Sequence, residues 1–401
     1  MIPSWVDPSL YPFEPRRFEV DGHAMSYVDE GAGEPVVLVH GTPTWSFLWR
    51  DAIRALSRGH RVVAADNLGF GLSDKPPAAD YRPAAHARRL EALIDHLGLE
   101  GITLVVHDFG GPIGLHHALT RPENVRRVAL LNTWLWSNAG DRNVESVGRL
   151  FGGPVGRFLY LRLNLSPRFL LPTAFADRRR LDARVHAHYL GPFPAPSDRH
   201  ALWAMARELL ASNDWYDELW GRRRALADKP VLVMWGMRDR LMPPRHLARW
   251  REALPHAQVV ELPDAGHFVT EEAGEEAVAV LDPDVDRCAI TLDWSGVVTQ
   301  LSPMPHLESP ATGVFIADGS VWVETGHERC VSLDPRKNES REGRPLIPGQ
   351  STAWAKASHT PGADPHLAFQ GLDECATDRS SKEASGARPA AQPSLRLSAH
   401  S

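Results

Sequence analysis

The segment TLVVHDFGGPIGL, Thr103 to Leu115, holds the first chemistry legible in this chain. An apolar run (Leu104, Val105, Val106) stops at His107-Asp108-Phe109, two glycines follow, and a helical pattern begins. A buried strand that turns sharply into a helix is a nucleophile elbow, which presents one side chain above the end of a sheet. Serine is usual at its tip, but this tip is Asp108. A serine hydroxyl needs a base before it attacks, whereas a carboxylate is already ionised at neutral pH. On an acyl carbon a carboxylate forms a labile anhydride. On an sp³ carbon with a leaving group it forms an alkyl ester, which water must then cleave.

Two more ionisable residues end expected strands: Asp239 after VLVMWG, and His267 in PDAGHF. About 130 residues separate Asp108 from Asp239, and the histidine comes last. Nucleophile, acid, histidine is the triad order of α/β-hydrolases. With a carboxylate nucleophile, His267 activates water rather than the nucleophile, while Asp239 orients the imidazole and stabilises its cation. The backbone N–H groups of Phe109 and of Thr42 in HGTP are expected to hold the oxyanion of the second step.

Such a triad needs a sheet whose strand ends converge. RRFEV and HAMSYVDEG flank Asp21-Gly22, a hairpin signal. PVVLVHG and HRVVAADNLGFG are continuous apolar runs, as in strands buried on both faces. AAHARRLEALIDHLGL places Leu90, Leu93, Ile94 and Leu97 at helical spacing. Strands alternating with helices predict a mostly parallel α/β sheet with helices on both faces, over residues 1–136 and again over 225–282. Residues 137–224 break the alternation and are helical in character, as a lid over the crevice would be. Residues 283–401 read as an appended, irregular tail. Within it FIADGSVWVETG makes one hairpin around Asp318-Gly319, and Ser340 to Ser401 reads as mostly disordered.

Composition excludes other classes. A net charge of −6 gives no footprint for nucleic acid. No apolar run reaches about 18 residues, so no membrane partner is expected. The start, MIPSWVDPSLYPFEP, has no secretory pattern, and three cysteines make no disulfide framework. C-x-x-C and H-E-x-x-H are absent. A monomeric cytoplasmic enzyme without metal or cofactor is expected, acting on a small apolar organic substrate with water.

HGTPTWSFLWR, DNLGFGLSDKP, HDFGGPIGL, MWGMRDRLMPP and DAGHFVTEE together resemble haloalkane dehalogenases, whose close relatives the epoxide hydrolases share the aspartate nucleophile. The resemblance spans roughly residues 10–282 and implies an α/β-hydrolase fold, a hydrolytic dehalogenation and the triad Asp108, Asp239 and His267. Asn132 stands where one subfamily carries its acid, and is read as structural or as a polar group of the pocket. Two departures concern the halide. The family typically has tryptophan after the nucleophile, donating its indole N–H to the leaving halide; this chain has Phe109. Where HGNP is common it has Thr42. Trp45 and Trp134, next to strand ends, are candidates to line the leaving-group pocket with Phe109 and Thr42. Epoxide opening would instead need an acid, for which the lid offers Tyr160, Tyr189 and Tyr216. A non-catalytic binder of hydrophobic ligands on the same scaffold is the third alternative.

Overall fold

The computed structural model describes residues 2–281 and, beyond them, six short strands between Ala289 and Glu342. The chain forms two units, residues 1–285 and 286–401.

The first unit is built on one eight-stranded sheet: β1 (Arg16–Val20), β2 (His23–Gly31), β3 (Pro35–Val39), β4 (Arg61–Ala65), β5 (Ile102–Asp108), β6 (Val125–Thr133), β7 (Val231–Gly236) and β8 (Gln258–Leu262). Their order is β1-β2-β4-β3-β5-β6-β7-β8. β1 and β2 form the expected hairpin, pairing Val20 with His23 across Asp21-Gly22, both at positive φ. β2 runs antiparallel to β4, and every later pairing is parallel. This is the mostly parallel sheet of the α/β-hydrolase fold. Every residue of β5 is buried, which explains its unbroken apolar run.

Helices α1 (Arg50–Leu56), α2 (Pro83–His96) and α3 (Gly110–Thr120) connect the first six strands. Between β6 and β7 the chain runs through α4 (Arg142–Gly152), α5 (Pro154–Leu163), α6 (Leu171–Ala174), α7 (Ala183–Leu190), α8 (His200–Ala211) and α9 (Asn213–Gly221). α10 (Pro244–Ala253) follows β7; α11 (Val269–Glu272) and α12 (Glu275–Leu281) follow β8. Side chains alternating along the strands feed two cores. One contains Val37, Leu104, Val106 and Leu130, and the other Val36, Leu38, Val105 and Leu131. The strand order turns around β3, so β4 and β5 leave on opposite sides of it. Asp108 stands beside this turn, at the carboxyl end of β5.

In the second unit, β9 (Ala289–Leu292) pairs with β10 (Val298–Ser302), and β11 (Gly313–Ala317), β12 (Ser320–Glu324), β13 (Cys330–Asp334) and β14 (Glu339–Glu342) make a four-stranded antiparallel sheet. The hairpin around Asp318-Gly319 is β11–β12, with Ala317 opposite Ser320. The other four strands carry too little alternation to be read from sequence. The disorder expected up to Ser401 lies outside the described residues beyond Glu342.

Candidate active site

Asp108 sits at φ 52°, an unusual conformation for a residue with a side chain, and the local sequence is built to hold it there. The Thr133 hydroxyl donates to the Asp108 carbonyl at 2.6 Å. A Cβ at Gly110 would strike the Val39 carbonyl, and one at Gly111 the Thr133 hydroxyl. Strand β5 can therefore bend into α3 this tightly only with two glycines after the elbow.

The carboxylate of Asp108 is held from two sides. The Thr42 N–H donates to Oδ1 at 2.9 Å, and His267 Nε2 lies 3.4 Å from Oδ2. Gly41 approaches so closely that a side chain there would overlap the Asp108 carboxylate. The turn carrying Thr42 is fixed by His40. Its Nε2 accepts from the Asn67 N–H at 2.9 Å, so Nδ1 carries the proton and donates to the Gly41 carbonyl at 2.7 Å. Burial pushes His40 down to about 4, which keeps this bridge neutral.

His267 and Asp239 stand in line beside Asp108. His267 Nδ1 lies 2.7 Å from Asp239 Oδ2. The Asp239 carboxylate also accepts from the N–H groups of Leu241 and Met242 and from Asn132 Nδ2, at 2.7, 3.0 and 2.7 Å. Burial alone would raise the Asp239 pKa, but the charge of His267 and these donors hold it below the usual carboxylate range. Burial likewise disfavours charge on His267, yet the carboxylates of Asp239 and Asp108 outweigh it and raise the pKa to about 10. Both carboxyl groups therefore favour the protonated form of the imidazole between them.

Asn132, singled out in the sequence as structural or polar, is joined by supports that the sequence did not signal. Asn132, at φ 35°, accepts from the Gly236 N–H at 2.9 Å while holding Asp239, so it positions the acid. His107 Nε2 donates to the His267 carbonyl at 2.9 Å; burial and then the His267 charge push it down to about 4. The His267 N–H donates to the Ala174 carbonyl at the end of α6. Glu272 accepts from Gly266 N–H at 2.9 Å and Ala176 N–H at 2.8 Å, tying the histidine loop to the inserted helices. Only the motif PDAGHFVTEE, with carboxylates just after the histidine, signalled this region.

The four leaving-group candidates separate. Phe109 is buried and packs edge-on against Trp134, ring centres 4.8 Å apart. The indole N–H of Trp134 and the hydroxyl of Thr42 are buried without hydrogen-bond partners. Trp45 is different. Its indole N–H donates to the His188 carbonyl at 2.9 Å, and its ring packs among Trp5, Tyr11 and Phe47, so its donor is already engaged. Of the tyrosines, Tyr189 donates to Glu271, and Tyr216 to the Glu208 carbonyl at 3.0 Å. Among the described residues no hydrogen bond engages the Tyr160 hydroxyl; burial, then the charge of Asp108, raises its pKa. His116 and His117 face Glu91, at 3.6 and 3.5 Å, and no cluster among the described residues is suited to a metal ion.

Known proteins share this architecture. The model of the α/β hydrolase fold family matches residues 34–273. Haloalkane dehalogenase 2 of Mycobacterium tuberculosis is 38% identical over 277 residues, covering 69% of this chain and 96% of that protein. A cis-3-alkyl-4-alkyloxetan-2-one decarboxylase of Shewanella oneidensis is 34% identical over 289 residues, covering 67% of this chain and 87% of that one. Among solved structures, the haloalkane dehalogenase DatA from Agrobacterium tumefaciens C58 superposes with a TM-score of 0.62 at 28% identity, over 67% of this chain and 94% of that one.

Proposed function

The chain belongs to the haloalkane dehalogenase family of α/β-hydrolases, and from that premise we propose that it hydrolyses haloalkanes through an alkyl ester on Asp108. The observation that carries this reading is a buried carboxylate at the elbow tip, 3.4 Å from the imidazole that an Asp239 carboxylate orients. An Asp108 oxygen attacks the carbon from the side opposite the halogen; the C–O bond forms as the C–X bond breaks, and halide leaves with its electron pair. No general base takes part in this displacement. Esterification then neutralises Asp108. With that charge gone, His267 loses one of the two carboxylates that keep it protonated, releases its proton to bulk water, and so becomes competent to take a proton from the hydrolytic water.

The water oxygen adds to the ester carbonyl of Asp108, and Thr42 N–H stands where the resulting oxyanion forms. Collapse expels the alcohol oxygen, which takes the proton back from His267. One carboxylate oxygen of Asp108 now derives from water. The halide itself leaves into a site with Phe109 in place of an indole donor; the unpartnered Trp134 N–H and Thr42 hydroxyl are the donors within the aromatic wall that can serve it.

The test separates the half-reactions. His267→Gln with a bromoalkane should release about one halide per enzyme and gain the mass of the alkyl group on Asp108. Asp108→Ala should do neither. An unmodified protein that binds the bromoalkane without releasing halide would overturn the mechanism and leave a binder.

A second reading rests on Tyr160, whose side chain is buried, whose hydroxyl is unengaged, and which lies within the field of Asp108. Such a group suits protonation of an epoxide oxygen, and this reading predicts a hydroxyalkyl adduct that Tyr160→Phe suppresses. A cis-3-alkyl-4-alkyloxetan-2-one completes the panel, as the substrate named for the Shewanella relative.

A further inference from the structure

Eight large apolar side chains are well exposed among the described residues, and six of them fall between Val147 and Phe169. They are Val147, Leu150, Val155, Phe158, Leu163 and Phe169, with Val155 at 58% and Phe158 at 59% exposure. The helices explain the concentration. α4 and α5 pack on α8, α4 through buried Gly148 against Leu210. Val147 and Leu150 are turned away from that contact. In α5 the buried residues are Gly156, Tyr160 and Leu161, whereas Val155, Phe158 and Arg162 lie three and four residues apart along the opposite side.

Charge on the same stretch is one-sided. From Arg142 to Leu170 the exposed charged residues are Arg142, Arg149, Arg157, Arg162 and Arg168, and the single carboxylate, Glu145, is half-buried and paired with Arg149. A chain of net charge −6 has thus gathered a cationic, apolar face on its inserted helices. A second copy meeting this face about a two-fold axis would set five arginines against five. Nucleic acid would match the charge but leave Phe158 and Val155 in water. An anionic lipid surface satisfies both features: arginines meet phosphate headgroups while the apolar side chains enter the boundary of the acyl chains. We infer that the α4–α5 face docks on anionic membranes. No helix among the described residues is long and apolar enough to cross one, so the contact is peripheral. This inference is independent of which bond Asp108 breaks.

Co-sedimentation of the full chain with vesicles of phosphatidylcholine, with and without phosphatidylglycerol, tests it. Binding is expected only with phosphatidylglycerol, and should fall as salt shortens the Debye length. Each arginine near the surface is worth about fivefold in partitioning, so Arg142→Gln/Arg162→Gln/Arg168→Gln should lower it about 100-fold. Val155→Ser/Phe158→Ser should also lose binding, while turnover of a water-soluble substrate stays unchanged and certifies the fold. Absence of binding to phosphatidylglycerol vesicles, equal binding to both vesicles, or undiminished binding of both variants would overturn the inference. So would a dimer in analytical ultracentrifugation that the serine variant dissociates, since a second copy would then own the face.

Discussion

Replacing Asp108 by asparagine imitates the charge, though not the chemistry, of the ester intermediate. The wild-type imidazole holds its proton up to about 10 because both Asp239 and Asp108 face it. Removing a charge 3.4 Å from Nε2 costs the imidazolium about 5 kcal/mol of attraction at an effective dielectric of about 20, or roughly three and a half pH units. Asp108→Asn should therefore bring proton loss from His267 into the neutral range. Titration of the ¹⁵N-labelled imidazole by NMR in both proteins reads this directly. The sign carries into kinetics. In single turnovers with a bromoalkane, ester formation should be flat between neutral and mildly alkaline pH. Ester hydrolysis should rise with pH through neutrality, because only the deprotonated imidazole accepts water's proton, and then level off. If His267 of the asparagine variant still titrates near 10, Asp108 does not set the base's protonation and this account of its switching is wrong.

Asn132→Ala should lower stability by about 2 kcal/mol in urea unfolding, because it strips partners from buried Asp239 and from the Gly236 N–H, and should reduce kcat as the imidazole loses its aim. Trp134→Phe removes an indole N–H that no other group uses, so kcat/KM for a chloroalkane should drop about tenfold relative to the bromoalkane; an unchanged ratio would exclude this donor. Phe109→Trp should shift the same ratio the other way, provided the variant's melting transition shows the ring is accommodated against Trp134. A protein ending at Val285 should retain the melting temperature and activity of the full chain, since residues 1–285 form a unit.

The convergence of Asp108, Asp239 and His267 was legible because each announces itself locally: Asp108 by an apolar run ending at two glycines, Asp239 and His267 by their places after strands β7 and β8. The fold followed from the same apolar runs, since a strand buried on both faces leaves no other pattern. What escaped depends on which strand ends become neighbours. Asn132 meets an acid 107 residues away only because β6 lies beside β7. His107 supports a carbonyl 160 residues away, and nothing in HDFGG distinguishes it from an ordinary core histidine. The engagement of Trp45 was hidden for the same reason: its N–H donates to the His188 carbonyl of α7, 143 residues downstream.

Glu272 has a consequence for molecular traffic. By gripping Gly266 with one oxygen and Ala176 with the other, while the His267 N–H holds the Ala174 carbonyl, it makes residues 174–176 and the backbone of His267 a single mechanical piece. Displacing that segment would carry the His267 backbone with it and pull the imidazole away from Asp239. Traffic of small molecules past this segment is then expected to rely on side-chain motion, with the backbone from Ala174 to Ala176 staying in place.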